Sequence, residues 1–267
     1  MHIEDVRQIH DTYDHIYLSP HLDDVALSCG GAIAHAVEMG MSVLAVTICT
    51  AIPPPDSQFS SFAQDMHHRW ALSPEEVVTA RLDEDREAMA RLGVDSYWAG
   101  MLDAIYRRPD IYNTDAALFG TPAEDDPLAP ILKQFIEVLH ARAPRASFYA
   151  PLGVGGHVDH RLTYKAVVER DQLMTEFYED FPYVAQVGAL EQRFAELNLM
   201  FAARTVNIAT TLPRKIHAIE AYGSQLDQLF GGADQMRLLV TQYAERLRSD
   251  HSLYNERLWS VTSNDTP

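Results

Sequence analysis

The sequence predicts an α/β protein, a Rossmann-like three-layer sandwich around a largely parallel central sheet. Two observations carry that expectation. Short apolar runs alternate with longer segments of helical spacing along most of the chain. One run, Ser42 to Cys49 (SVLAVTIC), is almost continuously apolar and rich in valine and isoleucine. That is the pattern of a parallel strand buried on both faces.

Taken in order, Ile16 to Leu18 is a short apolar strand. Val25 to Met39 follows with small and apolar residues at helical spacing and stops at Gly40. After strand 42–49, Pro53-Pro54-Pro55 marks an irregular surface loop from Thr50 to Ser60, reaching towards Ala71. Ser73-Pro74-Glu75-Glu76 opens a helix with a serine cap, a proline in its first position and an acidic first turn. That helix ends near Leu92, at Gly93. Asp95 to Ala99 is a strand, and Tyr106 to Asp126 reads as a long loop on its proline, glycine and asparagine content. Pro130 to Arg142 is helical, Ala146 to Ala150 a strand and His160 to Arg170 a helix. Thr175 to Tyr178 and Ala202 to Ile208 are strands; Pro213 to Leu229 and Asp234 to Arg248 are the last two helices. No repeat, low-complexity tract or linker divides the chain, so residues 1–267 are expected to form a single domain.

The composition narrows the function classes. Of 267 residues 47% are apolar, enough for a sizeable core. With 38 acidic against 21 basic residues the formal net charge is −17, which repels nucleic-acid phosphates and anionic membrane surfaces. No apolar run approaches the roughly 18 residues of a membrane span. The start, Met1-His2-Ile3-Glu4-Asp5, lacks the basic and then apolar pattern of a signal peptide. Cys29 and Cys49 form neither a C-x-x-C pair nor a zinc-ribbon pattern; they read as buried small hydrophobes of a reduced, cytoplasmic protein.

Chemistry concentrates in two clusters, each at the end of a strand-like run. The first is Ser19-Pro20-His21-Leu22-Asp23-Asp24; the second is Gly156-His157-Val158-Asp159-His160. His21 and Asp24, three residues apart on a turn entering a helix, can reach one ion, while Asp23 between them points elsewhere and is free to act as a base. His157 and His160 are also three apart, with Asp159 beside them. A lone H-x-x-D is usually a helix cap, and aspartates there also favour a helix N-terminus. Two such clusters on strand ends of one parallel sheet, however, share a rim. Imidazole with carboxylate is a ligand set for a divalent transition metal, zinc first among them. Gly30-Gly31 lacks a G-x-G-x-x-G context and reads as close helix packing. His67-His68 are read as helical residues in solvent-facing or loop-packing roles. Trp70, Trp98 and Trp259 are read as core or rim aromatics, with Trp98 a candidate to stack on a sugar. Asp125-Asp126 is read as a surface charge pair.

These residues resemble the PIG-L/LmbE family of zinc-dependent N-deacetylases, which carries an (A/P)-H-P-D-D motif after its first strand and an H-P-D-H motif later. Here they stand as Pro20-His21-Leu22-Asp23-Asp24 and His157-Val158-Asp159-His160, with leucine and valine in place of two prolines. The resemblance implies that His21, Asp24 and His160 bind zinc or another divalent transition metal. It implies Asp23 as the general base and His157 as an imidazolium that stabilises the oxyanion or protonates the amine. Asp159 would orient a histidine. Arg81-Leu82-Asp83-Glu84 with Ala88 and Leu92-Gly93 looks like the family helix whose arginine often faces the substrate, and Asp103 could bind a sugar hydroxyl. Phe177 to Tyr183 is similar to an E-D-x-P-Y segment. One departure is Gly155, where some relatives place a tyrosine that assists the oxyanion.

The expected activity is zinc-dependent removal of an N-acetyl or related acyl group from an amino-sugar derivative. The nearest alternative is amide cleavage in a thiol conjugate or an antibiotic intermediate. More distant ones are a non-haem iron oxygenase and a binding module. The oxygenase usually spaces its first ligands H-x-D on an all-β scaffold; a binding module would leave Asp23 and His157 without a task. Oligomeric state stays open, a homo-oligomer included.

Overall fold

A computed structural model describes residues 1–54, 56–70, 74–170 and 173–262, with side chains for all of these except 66–70, 74, 76 and 77. The chain opens with β1 (His2–Ile3), β2 (His15–Ser19), α1 (Asp24–Glu38), β3 (Val43–Cys49), α2 (Ser61–Trp70), α3 (Pro74–Leu92) and β4 (Asp95–Met101). Next come α4 (Ala104–Arg107), α5 (Asp115–Leu118), α6 (Leu128–Arg142), β5 (Ser147–Pro151), α7 (Val158–Val168) and β6 (Thr175–Tyr178). It ends with α8 (Ala189–Leu197), β7 (Phe201–Asn207), α9 (Leu212–Ile219), α10 (Gly223–Phe230), α11 (Ala233–Arg246) and β8 (Asn255–Val261).

One eight-stranded sheet has the order β1-β4-β3-β2-β5-β6-β8-β7. Strands β1 to β6 run parallel, and β8 pairs antiparallel with both β6 and β7. From β2 the chain steps outward through α1 to β3 and through α3 to β4, then returns through α6 to β5 on the other side of β2. Right-handed crossovers therefore put α1 and α3 on one face and α6 and α7 on the other. The helix contacts agree: α1 packs on α3 and α9, and α6 on α7. This is the Rossmann-like three-layer arrangement expected from the sequence.

The sheet interior is Ile16, Leu18, Leu44, Val46, Phe148 and Ala150, all fully buried. Their burial on both faces is why these strands read as apolar runs. β2 lies between β3 and β5, where the direction of winding reverses. That reversal opens a crevice beyond the carboxyl ends of β2 and β5. The segments following those two strands are the ones that hold the two His/Asp clusters.

Several elements depart from the sequence reading. Ser61–Trp70 is helical, as read for His67-His68, and takes up the stretch over which the loop was expected to reach Ala71; two one-turn helices, capped by Asp103 and Thr114, stand at the start of the expected loop 106–126 and within it. Helices that short carry no readable period. The single helix expected over Pro213 to Leu229 is two, α9 and α10, broken at Tyr222. The Tyr222 hydroxyl donates to Asp85 at 2.8 Å, which holds the break in place. Strand β8 was missed because Asn255 and Glu256 open it, yet both are buried. Glu256 bonds Lys215 Nζ at 2.6 Å and accepts from the amides of Gly31 (3.0 Å) and Ala32 (2.6 Å), where α1 departs from helical geometry at Cys29. The reading of Gly30-Gly31 as close packing holds: a Cβ at Gly31 would stand 2.8 Å from the Ile208 side chain. Both cysteines are buried. The Ser73 cap and the side chains of His67, His68 and Trp70 lie outside the described residues.

Candidate active site

The turn from β2 into α1 builds the first half of the site. Ser19 Oγ donates to the His21 carbonyl at 2.7 Å, and the His21 amide donates to Asp24 Oδ2 at 2.7 Å. These bonds fold the turn so that the His21 ring and the Asp24 carboxylate face the same point. Asp23 has φ +134° and ψ −30°. A residue with a side chain pays about 1–3 kcal/mol for such a backbone, and strain of this kind clusters at functional sites. The turn sends the Asp23 carboxylate to the cavity, where an Arg81 guanidinium nitrogen stands 3.4 Å from its Oδ2 and bonds the Leu22 carbonyl at 2.9 Å.

The turn from β5 into α7 builds the second half. His157 caps α7, its Nδ1 accepting the Asp159 amide at 3.2 Å; the ring proton is thus left on Nε2. His160 Nδ1 donates to Asp180 Oδ1 at 2.7 Å, and Asp180 Oδ2 accepts from the amides of Gly153 and Val154 at 2.8 Å each. The lone pair of His160 is therefore on Nε2. His21 Nε2 donates to Asp159 Oδ2 at 3.1 Å, which frees Nδ1.

Three atoms that each keep a lone pair for an ion then meet. His21 Nδ1 is 3.4 Å from Asp24 Oδ2, His160 Nε2 is 3.3 Å from Asp24 Oδ2, and the two ring nitrogens are 3.3 Å apart. Tetrahedral ligands at roughly 2.0–2.1 Å from one ion would be separated by about 3.3–3.4 Å. The donor set fits a tetrahedral divalent metal such as zinc. Two other groupings, His21 with His157 and His160 and His21 with Cys49 and Asp159, also bring potential ligand atoms together. They fit less well. His157 Nδ1 is used by the Asp159 amide, burial pushes the Cys49 thiol well up so that it stays protonated, and Asp159 is engaged by Arg107.

The electrostatics separate the carboxyls of the site. Burial opposes the Asp24 carboxylate, but His160 and His21 outweigh it and hold it well below the usual range. Burial likewise opposes Asp159, and Arg107 and His21 outweigh it. Asp23 moves the other way: burial pushes its carboxyl up to about 7, with Arg81 pulling back and Asp24 adding to the rise. Two adjacent carboxyls driven apart in this manner suit different roles. Burial, reinforced by His21, holds His157 well below the usual histidine range. With Nδ1 taken by the Asp159 amide, this favours a neutral Nε2–H donor over the imidazolium the family resemblance implied.

All eight sequence-designated residues gather at one cavity of about 330 Å³. His21, Asp23, Asp24, Arg81, Asp103 and His157 line it, with Tyr106, Phe119 and Tyr183 among the walls. His160 and Asp159 lie behind them, fully buried. Asp103 reaches the cavity floor, 3.4 Å from His21 Nε2, while its Oδ1 caps α4 through the Ile105 amide.

Other functional positions had no sequence-level signal. Arg107 bonds Asp159 Oδ1 at 2.7 Å and both oxygens of Asp126, at 2.8 and 2.9 Å. Tyr112 also donates to Asp126. Asp126 is 1% exposed, which corrects its reading as half of a surface charge pair; Asp125 alone is at the surface, paired with Arg108. Trp98 is likewise corrected as a sugar-stacking candidate: it donates to Asp85 at 2.7 Å and stacks under Arg86 and beside His2. Asp180 was legible only as part of the E-D-x-P-Y segment. Arg107→Met is expected to lower unfolding free energy by about 3–5 kcal/mol in urea denaturation, because it strands two buried carboxylates; a loss under 1 kcal/mol would show that they are otherwise satisfied.

The family described as "PIG-L: GlcNAc-PI de-N-acetylase" matches residues 16–170, a span that contains both clusters. The chain belongs to the PIG-L family. It is a hydrolase of the N-deacetylase type. A 2'-N-acetylparomamine deacetylase of Streptomyces fradiae is 32% identical over 79% of this chain and 73% of its own length. One of Niallia circulans is 30% identical over 81% of this chain and 82% of its own. The crystal structure of a teicoplanin deacetylase in a zinc-inhibited form superposes with a TM-score of 0.79 at 28% identity, covering 94% of this chain and 99% of that one. Among the described residues no helix is long and apolar enough to cross a membrane.

Proposed function

We propose that this PIG-L protein removes an N-acetyl group from an amino sugar of an antibiotic intermediate resembling 2'-N-acetylparomamine, using zinc held by His21, Asp24 and His160. The single observation that carries this reading is the near-equilateral triangle of His21, Asp24 and His160 donor atoms beside a cavity lined by His21, Asp24, Asp23 and His157. The substrate class rests on the two paromamine-type relatives and the teicoplanin deacetylase.

When bound, the metal would polarise the acetyl carbonyl and bring a water's pKa to about 7. Asp23 then takes a proton from the attacking water. His157 donates its Nε2–H to the carbonyl oxygen as charge develops there. As the carbon–nitrogen bond breaks, Asp23 returns the proton to the amine nitrogen, which gives acetate and the free amino sugar. Asp159 and Asp180 keep His21 and His160 in orientation and tautomer. Arg81 orients Asp23 and, with Asp103, faces the sugar.

Acetate release tests the reading across 2'-N-acetylparomamine, N-acetylglucosamine, N-acetylglucosaminyl-phosphatidylinositol and an N-acetylated amino-sugar thiol conjugate. The expected order places the paromamine derivative at least about tenfold above the others in kcat/KM, the smallest discrimination that a few pocket contacts supply. Acetate from none of the amino sugars, or highest turnover on the thiol conjugate, would overturn it.

A further inference from the structure

We infer that the Gln225 carboxamide determines specificity by hydrogen-bonding a hydroxyl of the substrate at the cavity wall formed by α10. The inference rests on the deacetylase reading above and adds a residue from outside the family-matched span 16–170.

Two acidic residues of α3 put α10 in place. Asp85, one turn beyond Arg81, accepts from Trp98 Nε1 at 2.7 Å and from the Tyr222 hydroxyl at 2.8 Å. Glu84 accepts the Ser224 amide at 2.7 Å on Oε1 and the Ser224 hydroxyl at 2.6 Å on Oε2. The break between α9 and α10 is thus gripped at Tyr222 and Ser224 by the same helix that brings Arg81 to Asp23. Gln225, Gln228 and Leu229, three and four residues apart, share one face of α10, and all three line the cavity.

The same contacts fix the orientation of the amide. Gln225 Nε2 donates to Ser224 Oγ at 2.9 Å. The Ser224 hydroxyl has a single proton and gives it to Glu84, so towards Gln225 it can only accept. The carboxamide nitrogen therefore sits at Ser224, and Oε1 is turned away from it. Gln225 is 6% exposed. Its Oε1 makes no hydrogen bond among the described residues, and it is not sealed off like the unpartnered Arg81 Nε. The opening left to this side chain is the cavity it lines. A nearly buried polar group held in one orientation needs a partner, and here only a ligand can supply it.

The chemistry of the group names that partner. With one N–H spent on Ser224, the carboxamide keeps an acceptor oxygen and one N–H. A hydroxyl both accepts and donates, and so matches this pair. The carboxamide carries no charge with which to neutralise an ammonium or a phosphate. The acetamide end of the substrate is met by the turns that carry Asp23 and His157. The α10 wall is separate from both turns, so the hydroxyl belongs to the part of the substrate that does not react. A site built to hydrogen-bond such a hydroxyl rejects the analogue lacking it, because the buried amide is then left unpaired.

Gln225→Met tests the assignment, since it keeps the length of the side chain and removes its polar atoms. On an N-acetyl amino sugar that the parent hydrolyses, KM should rise roughly tenfold, the size of one uncharged hydrogen bond. kcat should stay within about twofold, as for an interaction made equally in ground and transition states. Zinc content should equal the parent's. Among monodeoxy analogues of that substrate, each lacking one hydroxyl, the parent should lose the same factor on one. On that analogue parent and variant should agree within about twofold, which closes the cycle. Ser224→Ala, which frees the amide to rotate, should give a smaller rise in KM with the same analogue dependence. Unchanged KM, lost zinc, a fall in kcat alone, or an equal loss on every analogue would each overturn the assignment while leaving the deacetylase reading in place. A parent that releases no acetate from any of the amino sugars would overturn both.

Discussion

Asp23→Asn is expected to lower kcat by roughly 10²–10⁴-fold, the usual size of general-base assistance, while bound zinc stays at the parent level. The backbone separates the two neighbouring aspartates. Asp24 Oδ2 is bound by the His21 amide and faces both ring nitrogens, whereas Asp23, at φ +134°, directs its carboxylate to Arg81 and the cavity. Asparagine keeps the shape and tolerates positive φ better than most residues, so the turn survives and only the base is lost. A carboxyl must be ionised to take a proton. With its pKa pushed up to about 7, kcat/KM of the parent should fall as pH drops through that region, and the variant should lose this acidic limb. A variant with normal turnover removes Asp23 from the chemistry. One that loses zinc makes it a ligand and puts Asp24 in question.

His160→Ala is expected to strip most of the metal and, with it, the activity, while the fold remains. His160 contributes one corner of the donor triangle, and its other nitrogen is tied to Asp180 at 2.7 Å. Removing a group that only orients a ligand costs roughly 10–100-fold in metal affinity; that is the effect expected of Asp180→Ala. Loss of the ligand itself should exceed it. Zinc affinity by competition with a fluorescent chelator separates the two variants. Full occupancy in His160→Ala would shift the ligand role to His157, the next ring nitrogen in the cluster.

Strands β2, β3 and β5 were legible because burial on both faces leaves an uninterrupted apolar run. His21, Asp23, Asp24, His157, Asp159 and His160 were legible because each follows such a run by only a few residues, so the parallel topology alone brings them to one rim. Arg107 ends the one-turn helix α4, and Asp126 and Asp180 lie in irregular segments, where no period reports burial. Asp125 and Asp126 show the limit: adjacent and chemically identical, one is paired at the surface with Arg108 and the other closes a buried network behind Asp159. Strand β8 was hidden by the same effect, since Glu256 looks solvent-bound until Lys215 and the α1 amides are seen to meet it.

The central claim is that the His21, Asp24 and His160 triangle holds the metal on which amide hydrolysis depends. Its most direct test is acetate release from 2'-N-acetylparomamine by chelator-stripped protein during a zinc titration. The stripped protein should release no acetate, and activity should rise linearly to a break at one zinc per chain. Full turnover by the stripped protein, with metal below a tenth of an equivalent by elemental analysis, would contradict the claim.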